Sequence, residues 1–504
     1  MYNKNTADRP APHPRREPEF EAELTIKSLS DIFARCCDFE MRAIDLGLAG
    51  KLRLHVCWLD GIVSGCDVGE NVIRPLTQAV RARGVESEED CAARILSGAV
   101  YSYSVKRLEN VDEVVSNLTH GHCALIFDRM KLALSFEVRS DKTRGIDEPT
   151  REKSLKGAKD SFVETLRVNT ALVRRRICSP KLKLVESTVG RKTNTRVSML
   201  FVDGVAAPEL VSELARRLDA LDVEALLSTG TLEEYIVDAP RSPFPQLLHT
   251  ERPDRFAMYL LEGRVGLLVD GLPVGLLLPA RFADFMRVTG DSTMNFLVST
   301  SLTFIRYLAL AIALVLPAVY VAVVMYHQEM IPTRLLLSIV NAKQAVPFST
   351  AIEVLSMIVS FSLLQEAGLR LPNPIGDTVS IIGALIVGQS AVEARIVSPI
   401  AIIVTALSGI ACYTLPSQDM GYAVRLAQLA LLLAAIGAGL FGVAAVSCLL
   451  LLHLASLDSF GLNYTAPLSD GRPHSLSRLL VHIPEPLNKF RDPQLRTPDR
   501  RRQK

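Results

Sequence analysis

Residues 301–326 read SLTFIRYLALAIALVLPAVYVAVVMY and contain one charged side chain, Arg306, near their start. A helix of this length crosses the hydrocarbon core of a bilayer, which is about 30 Å thick. An arginine close to the end of such a helix can extend its side chain to the membrane surface. The stretch therefore predicts a transmembrane helix, and it divides the 504-residue chain into a soluble half and a membrane half.

The membrane half is predicted to occupy 296–457, and it contains further apolar runs. We predict a second span at 375–395 and a fourth at 422–457. Between them lies a third and shorter span, which starts at Pro399 and ends before Pro416.

The segment 345–366 is less apolar, because Glu353, Gln365 and several serines interrupt it. It fits a re-entrant or interfacial helix, or a fifth span. The tail at 458–504 is rich in lysine and arginine, a bias that keeps such segments cytoplasmic. The N-terminal stretch lacks the apolar core of a signal peptide, so both ends are expected in the cytoplasm. An even number of spans follows, and we predict four full spans and an interfacial or re-entrant 345–366.

Two stretches of the soluble half resemble two stretches further along the chain. LRLHVCWLDGIV (52–63) aligns with TRVSMLFVDGVA (195–206), and GHCALIFDRMKLALSFEV (121–138) aligns with GRVGLLVDGLPVGLLLPA (263–280). All four stretches are apolar and carry turn signals, which is typical of short strands. The resemblance predicts that the soluble half is duplicated.

The two alignments keep nearly the same spacing. They place Gly61 opposite Gly204 and Asp128 opposite Asp270, at separations of 143 and 142 residues. Amphipathic helical patterns lie between the strands, so strands and helices alternate. The predicted fold is therefore a duplicated α/β soluble region, followed by an α-helical membrane domain with several spans.

The domain boundaries follow from this duplication. A disordered leader rich in proline and charge is predicted at 1–50. The first α/β subdomain is predicted at 51–150, and a linker helix with the second subdomain at 151–295. The linker helix SFVETLRVNTALVRRRI (161–177) ends in Arg174–Arg176, which suit the negative end of the helix dipole. These arginines fit a solvated surface, contact with anionic lipid headgroups, or contact with nucleic acid.

The stretch SPFPQLLHTERPDR (242–255) combines three prolines with alternating charges shortly before the membrane half. Proline fixes φ and favours extended neighbours, so the first part is predicted to be a stiff strap anchored by Phe244. Thr250 is predicted to cap a helix that runs from Pro253 to Gly263. The stretch is a candidate hinge between domains or a candidate subunit contact. The candidate joint residues are Pro243, Phe244, Pro245, Glu251, Arg252, Pro253 and Asp254.

Few polar side chains lie at membrane depth, and each is costly there unless it faces protein or water. Gln389 fits a helix–helix hydrogen bond or the lining of an ion path, and Glu393 fits an ion pair with Arg395 or the same path. Glu353 fits a structural role and an ion path equally. One subunit offers too few polar faces to enclose a pore, whereas a ring of identical subunits could do so. The candidate ion-path residues are Gln389, Glu393 and Glu353.

Several function classes find no support in the sequence. A formal net charge of +2 argues against nucleic-acid binding. The nine cysteines form no CxxC pair, and no His/Cys cluster has the spacing of a zinc site. The motif GAGLFG (437–442) matches a dinucleotide fingerprint by letter only, because it lies inside an apolar run. We expect no cofactor, no metal and no enzymatic activity, since no nucleophile–base constellation is present.

Seven stretches between residues 150 and 470 carry prolines and charges that generic membrane helices do not require. In chain order they are SFVETLRVNTALVRRRI, SPFPQLLHTERPDR, LLEGRVGLLVDG, HQEMIPT, QEAGLRLPNPIG, GQSAVEARIVSP and SFGLNYTAPL. Together they resemble the GerA family of bacterial spore germination proteins, A-type subunit. The chain departs from the family pattern at Ala158, where proline is common, and at Arg395, where an uncharged residue is common.

The resemblance implies a protein of the spore inner membrane with a cytoplasmic N-terminal half. Such a subunit is expected to contact membrane lipid, to form a homo-oligomer and to supply the ion-conducting part of a nutrient receptor. The expected partners are a transporter-like B-type subunit that binds the nutrient and a C-type lipoprotein. A related branch of the family acts as an accessory spore membrane protein outside any nutrient receptor.

Three functions were weighed on these grounds. The first is a channel-forming subunit of a ligand-gated receptor, and the second is a non-conducting scaffold that organises receptor complexes. A secondary transporter would show inverted repeats and broken helices in the membrane. The duplication lies in the soluble half only, which places the transporter last.

Overall fold

The structure is a computed structural model that describes residues 20–503 with gaps. The gaps are 21, 47–51, 84–86, 100–104, 139–148, 150–151, 153–156, 371–387, 469–478 and 482. The described residues form two α/β repeats followed by a bundle of apolar helices.

The two repeats contain the same elements in nearly the same order. The first consists of α1 (Ile26–Ile32), β1 (Phe39–Leu46), β2 (Leu52–Leu59), α2 (Gly65–Val68), α3 (Arg74–Arg83), α4 (Glu88–Arg94), β3 (Val105–Leu108), α5 (Val111–Thr119), β4 (His122–Phe127) and β5 (Leu132–Glu137). The second consists of α6 (Leu166–Arg176), β6 (Leu182–Val189), β7 (Thr195–Val202), α7 (Pro208–Asp219), α8 (Thr229–Ile236), β8 (Leu248–Thr250), α9 (Pro253–Glu262), β9 (Val265–Val269) and β10 (Gly275–Leu278).

Each repeat builds one antiparallel sheet of five strands with a shared topology. The strand orders are β1-β2-β4-β5-β3 and β6-β7-β9-β10-β8, so every strand of one sheet has a counterpart at the same place in the other. Apolar residues of both faces of each sheet are buried in separate clusters, which the helices cover. The predicted duplication is confirmed.

Equivalent atoms do equivalent work in the two repeats. Oδ1 of Asp128 accepts a hydrogen bond from the N–H of Ile26 at the start of α1, at 3.1 Å. Oδ1 of Asp270 accepts one from the N–H of Leu166 at the start of α6, also at 3.1 Å. In each case a carboxylate satisfies a free N–H of a helix N-terminus. The aspartates aligned by sequence therefore hold the first helix of their repeat.

The first repeat begins earlier than the sequence predicts. The leader predicted at 1–50 includes α1 and β1, which belong to the first sheet and its cover. Leu29 and Phe33 of this segment are buried against the core that also contains Leu59. The prediction of disorder through residue 50 was wrong, because proline and charge dominate only the stretch before α1.

Arg174 joins the two repeats. Its guanidinium is fully buried and donates from Nε and Nη2 to the carboxylate of Asp38, at 2.9 and 2.8 Å. Backbone hydrogen bonds between Cys37 and Leu184 lie beside this ion pair. The solvated, lipid-facing and nucleic-acid readings of Arg174 were therefore wrong. Arg176 pairs instead with Asp160 and remains partly exposed.

The membrane half contains the long helices of the structure. After the short α10 (Phe282–Phe285) come α11 (Phe296–Tyr326), α12 (Thr333–Lys343), α13 (Thr350–Arg370), α14 (Pro399–Tyr413) and α15 (Gln418–Ser456). Three described helices are long and apolar enough to cross a membrane: Phe296–Tyr326, Thr350–Gly368 and Gln418–Ser456. The span predicted at 301–326 lies inside the first of these. Most of the span predicted at 375–395 falls outside the described residues.

The segment 345–366 differs from the interfacial helix predicted from the sequence. It forms most of α13, whose length and composition allow it to cross a membrane. Its serines are less polar than the sequence suggests, because their hydroxyls bond to their own helix. Ser356 donates to the carbonyl of Glu353, and Ser362 donates to that of Ile358. α14, by contrast, has 15 residues and is shorter than the full span predicted there.

Helix α15 folds back on itself at Gly439, where φ is 59° and ψ is −141°. Asp419 at one end contacts His249, and His453 at the other end contacts Ser242. A straight helix would separate these ends by about 51 Å, at 1.5 Å per residue. The chain between Ser242 and His249 can span at most about 25 Å. The two arms, 418–438 and 440–456, therefore form an antiparallel hairpin whose tip is Gly439.

The tip of this hairpin packs against the far end of α11. A Cβ at Gly439 would lie 2.9 Å from Cε1 of His327 and 3.1 Å from Cβ of Tyr326. The hydroxyl of Tyr326 donates to the carbonyl of Ile436 at 2.5 Å. Ala322 of α11 packs against both arms, next to the tip. Both feet of the hairpin thus lie at the soluble repeats, on the same side as the start of α11.

A chain of hydrogen bonds links three helices inside the bundle. Nε2 of Gln428 donates to Oγ of Ser408 at 2.6 Å, and that hydroxyl donates to the carbonyl of Ala313 at 3.1 Å. All the side-chain atoms involved are buried. The bonds connect α15 and α14 to α11 and satisfy polar groups that would be costly at membrane depth.

Replacing Gln428 with leucine is expected to destabilise this bundle modestly. Interhelical hydrogen bonds in membranes contribute about 0.6 kcal/mol on average and up to about 1.7 kcal/mol. We expect the apparent melting temperature in detergent to fall by a few degrees. Thr405→Val is the matched control, because the Thr405 hydroxyl bonds only within its own helix. An equal fall for both variants would show that the bond to Ser408 contributes nothing.

The tail predicted at 458–504 returns to the second repeat. β11 (Asp458–Ser459) and β12 (Leu462–Asn463) form a small hairpin, after which Tyr464 is buried beside Phe282 and Phe285. Further on, the carboxylate of Asp492 pairs with Arg281. The described part of the tail is therefore packed against the soluble region.

Candidate ion-path residues and the domain–membrane joint

Glu353 lies in the first turn of α13 and has only 1% of its surface exposed. Its Oε2 accepts a hydrogen bond from the N–H of Ser398 at 2.9 Å, and its Oε1 lies 3.3 Å from Nζ of Lys343. Ser398 is the N-cap of α14, so the carboxylate places negative charge at the positive end of that helix. Glu353 joins α12, α13 and α14 through buried polar contacts.

Gln389 and Glu393 lie one turn apart on the helical stretch 388–393. Both side chains are exposed, and Nε2 of Gln389 donates to Oε1 of Glu393 at 3.1 Å. Arg395 follows the helical stretch at a φ of 57°. A single chain therefore leaves a hydrogen-bonded carboxamide and carboxylate on its surface.

The three predicted ion-path residues occupy two different environments. The structure brings Gln389 and Glu393 together, whereas Glu353 is buried elsewhere. Among the described residues, no hydrogen bond or ion pair connects Glu353 to the other two. A single subunit thus presents a surface pair and a separate buried carboxylate.

The strap at 242–249 grips the second arm of the hairpin through its aromatic and hydroxyl side chains. Phe244 is buried, and its ring lies 5.9 Å from that of His453. Oγ of Ser242 lies 2.9 Å from Nε2 of the same histidine. Phe244 thus anchors the strap, and the contact joins the second repeat to the end of the last membrane helix.

His249 grips the first arm of the hairpin. Its Nδ1 lies 3.0 Å from Oδ2 of Asp419 at the start of α15, and its Nε2 lies 3.5 Å from Oε2 of Glu233 in α8. Burial raises the pKa of the Glu233 carboxyl, although the charge of His249 lowers it. The imidazole therefore stands between a carboxylate of the soluble repeat and one of the membrane bundle.

The charged part of the joint faces the linker rather than the membrane. Arg252 is buried and donates to both carboxylate oxygens of Asp254, at 3.0 and 2.6 Å. Glu152 accepts hydrogen bonds from Thr250 and Arg255. The carbonyl of Glu251 accepts a hydrogen bond from Phe162 at 2.7 Å. These residues tie the second repeat to the segment that connects the repeats.

The helix after the strap begins later than predicted. Thr250 belongs to strand β8, and Arg252 is the N-cap of α9, with Pro253 in the first turn. Gly263 ends the helix at a φ of 105°, as predicted. The pairing of Thr250 with β10 explains the shift, because an edge strand uses the backbone that a longer helix would need.

Sequence reasoning missed the membrane side of the joint. His453 and Asp419 are single polar residues at the ends of an apolar run, and Glu152 lies in the linker. A long apolar run with one glycine near its middle could have indicated a hairpin with two feet. Its two polar ends would then have been candidates for contacts with the strap.

The chain matches the family model described as "Bacillus/Clostridium GerA spore germination protein" over residues 27–494. This match spans both repeats, the membrane helices and most of the tail. The chain belongs to the GerA family. The resemblance noted in the sequence is thus confirmed, and membership makes this a spore germination protein by family.

Several GerA relatives are similar along most of their length. Spore germination protein KA of Bacillus subtilis (strain 168) is 34% identical over 92% of this chain and 83% of its own. Spore germination protein GerLA of Bacillus cereus is 32% identical over 95% of this chain and 97% of its own. A B. subtilis protein named only as the uncharacterized membrane protein YfkQ is 36% identical over 91% and 88%.

One solved structure is similar to the soluble part. It is the crystal structure of the N-terminal domain of the A subunit of the Bacillus megaterium spore germinant receptor GerK3. It is 28% identical and covers 51% of this chain and 93% of its own, with a TM-score of 0.40.

Proposed function

We propose that this chain is the A-type membrane subunit of a nutrient germinant receptor and that it oligomerises into a ligand-gated cation channel. The observation that carries the proposal is the exposed pair of Gln389 and Glu393 on the surface of one subunit. Polar groups of this kind are costly against lipid. A ring of identical subunits would remove them from lipid and turn them toward a common path.

The family relatives support the receptor part of this proposal. Two of them are named as spore germination proteins, and the solved relative is the A subunit of a spore germinant receptor. By this analogy the partners are a B-type transporter-like subunit that binds the nutrient and a C-type lipoprotein. We place the chain in the spore inner membrane, with its soluble repeats and tail in the cytoplasm. The proposal gives it no catalytic residue.

The joint gives the channel proposal a route for coupling. The strap contacts both feet of the hairpin, at His249 with Asp419 and at Ser242 with His453. A movement of the second repeat would therefore reach the membrane helices directly. The candidate joint residues that face the linker, Arg252 and Asp254, hold the strap to the repeat.

A second candidate function is a non-conducting accessory scaffold in the same membrane. Its support is the similarity to YfkQ, whose name assigns only a membrane protein. The duplicated repeats would then serve as docking platforms for other receptor chains.

Potassium efflux from liposomes that carry the purified chain tests both functions. We expect efflux from wild type, with B-type and C-type partners and nutrient added if the chain alone is closed. Gln389→Leu is expected to change the efflux rate several-fold, because the substituted side chain lies on the path. Ile403→Leu is the matched control, since Ile403 is an exposed apolar residue of α14. Unchanged efflux in Gln389→Leu would remove this residue from the path, and no efflux under any condition would favour the scaffold.

A further inference from the structure

The two repeats expose equivalent edges to different partners. We define the first edge by Asp38, Asp60 and Gly61, and the second edge by Lys181, Asp203 and Gly204. The N–H of Asp60 donates to the carbonyl of Asp38 at 2.8 Å, and the N–H of Asp203 donates to that of Lys181 at 2.7 Å. The glycines follow with φ of 92° and 75°. The edges are therefore copies of one turn in two places.

The first edge is covered by α6 of the second repeat. Nε of Arg167 lies 3.1 Å from Oδ2 of Asp60. A Cβ added to Gly61 would lie 3.0 Å from the carbonyl oxygen of Arg167 and 3.1 Å from Cβ of Ala171. Asp38 is paired with Arg174, as described above. Three acidic or close-packing positions of the edge thus meet one basic helix.

The second edge is covered by the end of the tail. The N–H of Asp499 donates to the carbonyl of Gly204 at 3.2 Å. Slight burial raises the pKa of Asp499, but hydrogen bonds from Arg491 and the charge of Lys181 hold it below its ordinary value. Thr497 is buried against Gly263 beside this contact. The tail thus takes the place at the second edge that α6 takes at the first.

The first repeat carries a helix equivalent to α6. It is α1, whose start is held by Asp128 as the start of α6 is held by Asp270. Lys27 follows the first residue of α1, as Arg167 follows the first residue of α6. Both Lys27 and Asp203 are exposed at the surface of the chain. α1 can therefore offer Asp203 the kind of charge that α6 offers Asp60.

We propose that the second edge is a docking site for α1 of a second copy of this chain, and that tail residues 497–499 occupy this edge until that copy binds. The proposal deepens the proposed oligomer by naming its contact between soluble repeats. The contact would be heterologous, since one edge meets a different surface of the next copy. Repetition of such a contact closes into a ring when the rotation allows it.

The tail is suited to being displaced. The side chain of Asp499 is 53% exposed, and its pairing with Arg491 lies within the tail itself. Exposed ion pairs contribute about 0–1 kcal/mol, so exchange of the tail for a helix face costs little. The incoming helix would replace one charge contact at the edge with another, between Lys27 and Asp203.

Cross-linking between two tagged copies of the full chain tests this contact. One copy carries Lys27→Cys and the other Asp203→Cys, and a short bismaleimide is added to membranes that contain both. We expect a yield of mixed dimer several-fold above that of a control pair with Lys27→Cys and Arg191→Cys. Arg191 is exposed at the opposite end of β7 from the second edge. Adding Asp499→Lys to the copy with Asp203→Cys should raise the yield further, because the tail is then repelled by Lys181.

The outcomes separate this contact from the channel itself. A yield equal to that of the control pair, with and without Asp499→Lys, would overturn the docking site. If potassium efflux persisted in those same preparations, the channel would stand and only its proposed contact would fall. A specific cross-link without efflux would support the contact and contradict the channel. A yield that rises only with Asp499→Lys would support the tail as the competitor for the edge.

Discussion

Replacing Gly439 with alanine is expected to unfold the tip of the membrane hairpin and to lower the apparent melting temperature in detergent by about 5 °C or more. The backbone there has φ of 59°, which alanine adopts only at a cost of about 1–3 kcal/mol. The added Cβ would also lie 2.9 Å from Cε1 of His327. The amount of folded protein recovered from membranes should fall with the melting temperature.

Gly437→Ala is the matched control for this prediction. Gly437 lies two residues earlier in the same helix, and an added Cβ there meets nothing within 4 Å. Alanine is the better helix former by about 1 kcal/mol, so we expect no loss of stability and a small gain. Equal losses for the two variants would contradict a glycine-dependent reversal at residue 439.

Replacing Arg174 with methionine is expected to destabilise the first repeat by about 3–5 kcal/mol, because it leaves the buried carboxylate of Asp38 without its partner. The change can be followed through Trp58, which is the single tryptophan of the chain and is buried in the first repeat. Urea unfolding of the full chain in detergent should shift its fluorescence to longer wavelengths at a lower urea concentration than in wild type.

Two comparisons sharpen this measurement. Arg176→Met removes a partly exposed ion pair with Asp160 and should cost about 1 kcal/mol or less. The double variant Arg174→Met with Asp38→Leu should recover much of the lost stability, since neither charge is then buried alone. If the double variant were as unstable as Arg174→Met, apolar packing rather than the unpaired carboxylate would explain the loss.

The soluble fold could be predicted where the sequence repeats itself. Two pairs of strands with Asp-Gly or related turns, spaced almost equally, were enough to indicate two α/β copies. The start of the first copy could not be predicted in this way, because α1 and β1 have charged exposed faces that hide their relation to α6 and β6. Arg174 was misread for a related reason. Its partner Asp38 is 136 residues away, so no local pattern reveals it.

The membrane half shows a different limit. Hydropathy located α11 and α15, but it measures length and composition, not direction. The reversal at Gly439 and the burial of Glu353 depend on contacts with α11, α12 and α14. The exposed position of Gln389 and Glu393 was equally invisible, because burial at membrane depth is decided by neighbours that the sequence does not name.

The grip of one strap on both feet of the hairpin limits how the membrane bundle can move. The seven residues from Ser242 to His249 act as a tether of fixed length between the feet. The arms therefore cannot spread apart at the base, and the hairpin must rock as one lever about the strap. Each arm is about 30 Å long. A tilt of about 10° at the base would carry Gly439, and the end of α11 that packs on it, by about 5 Å.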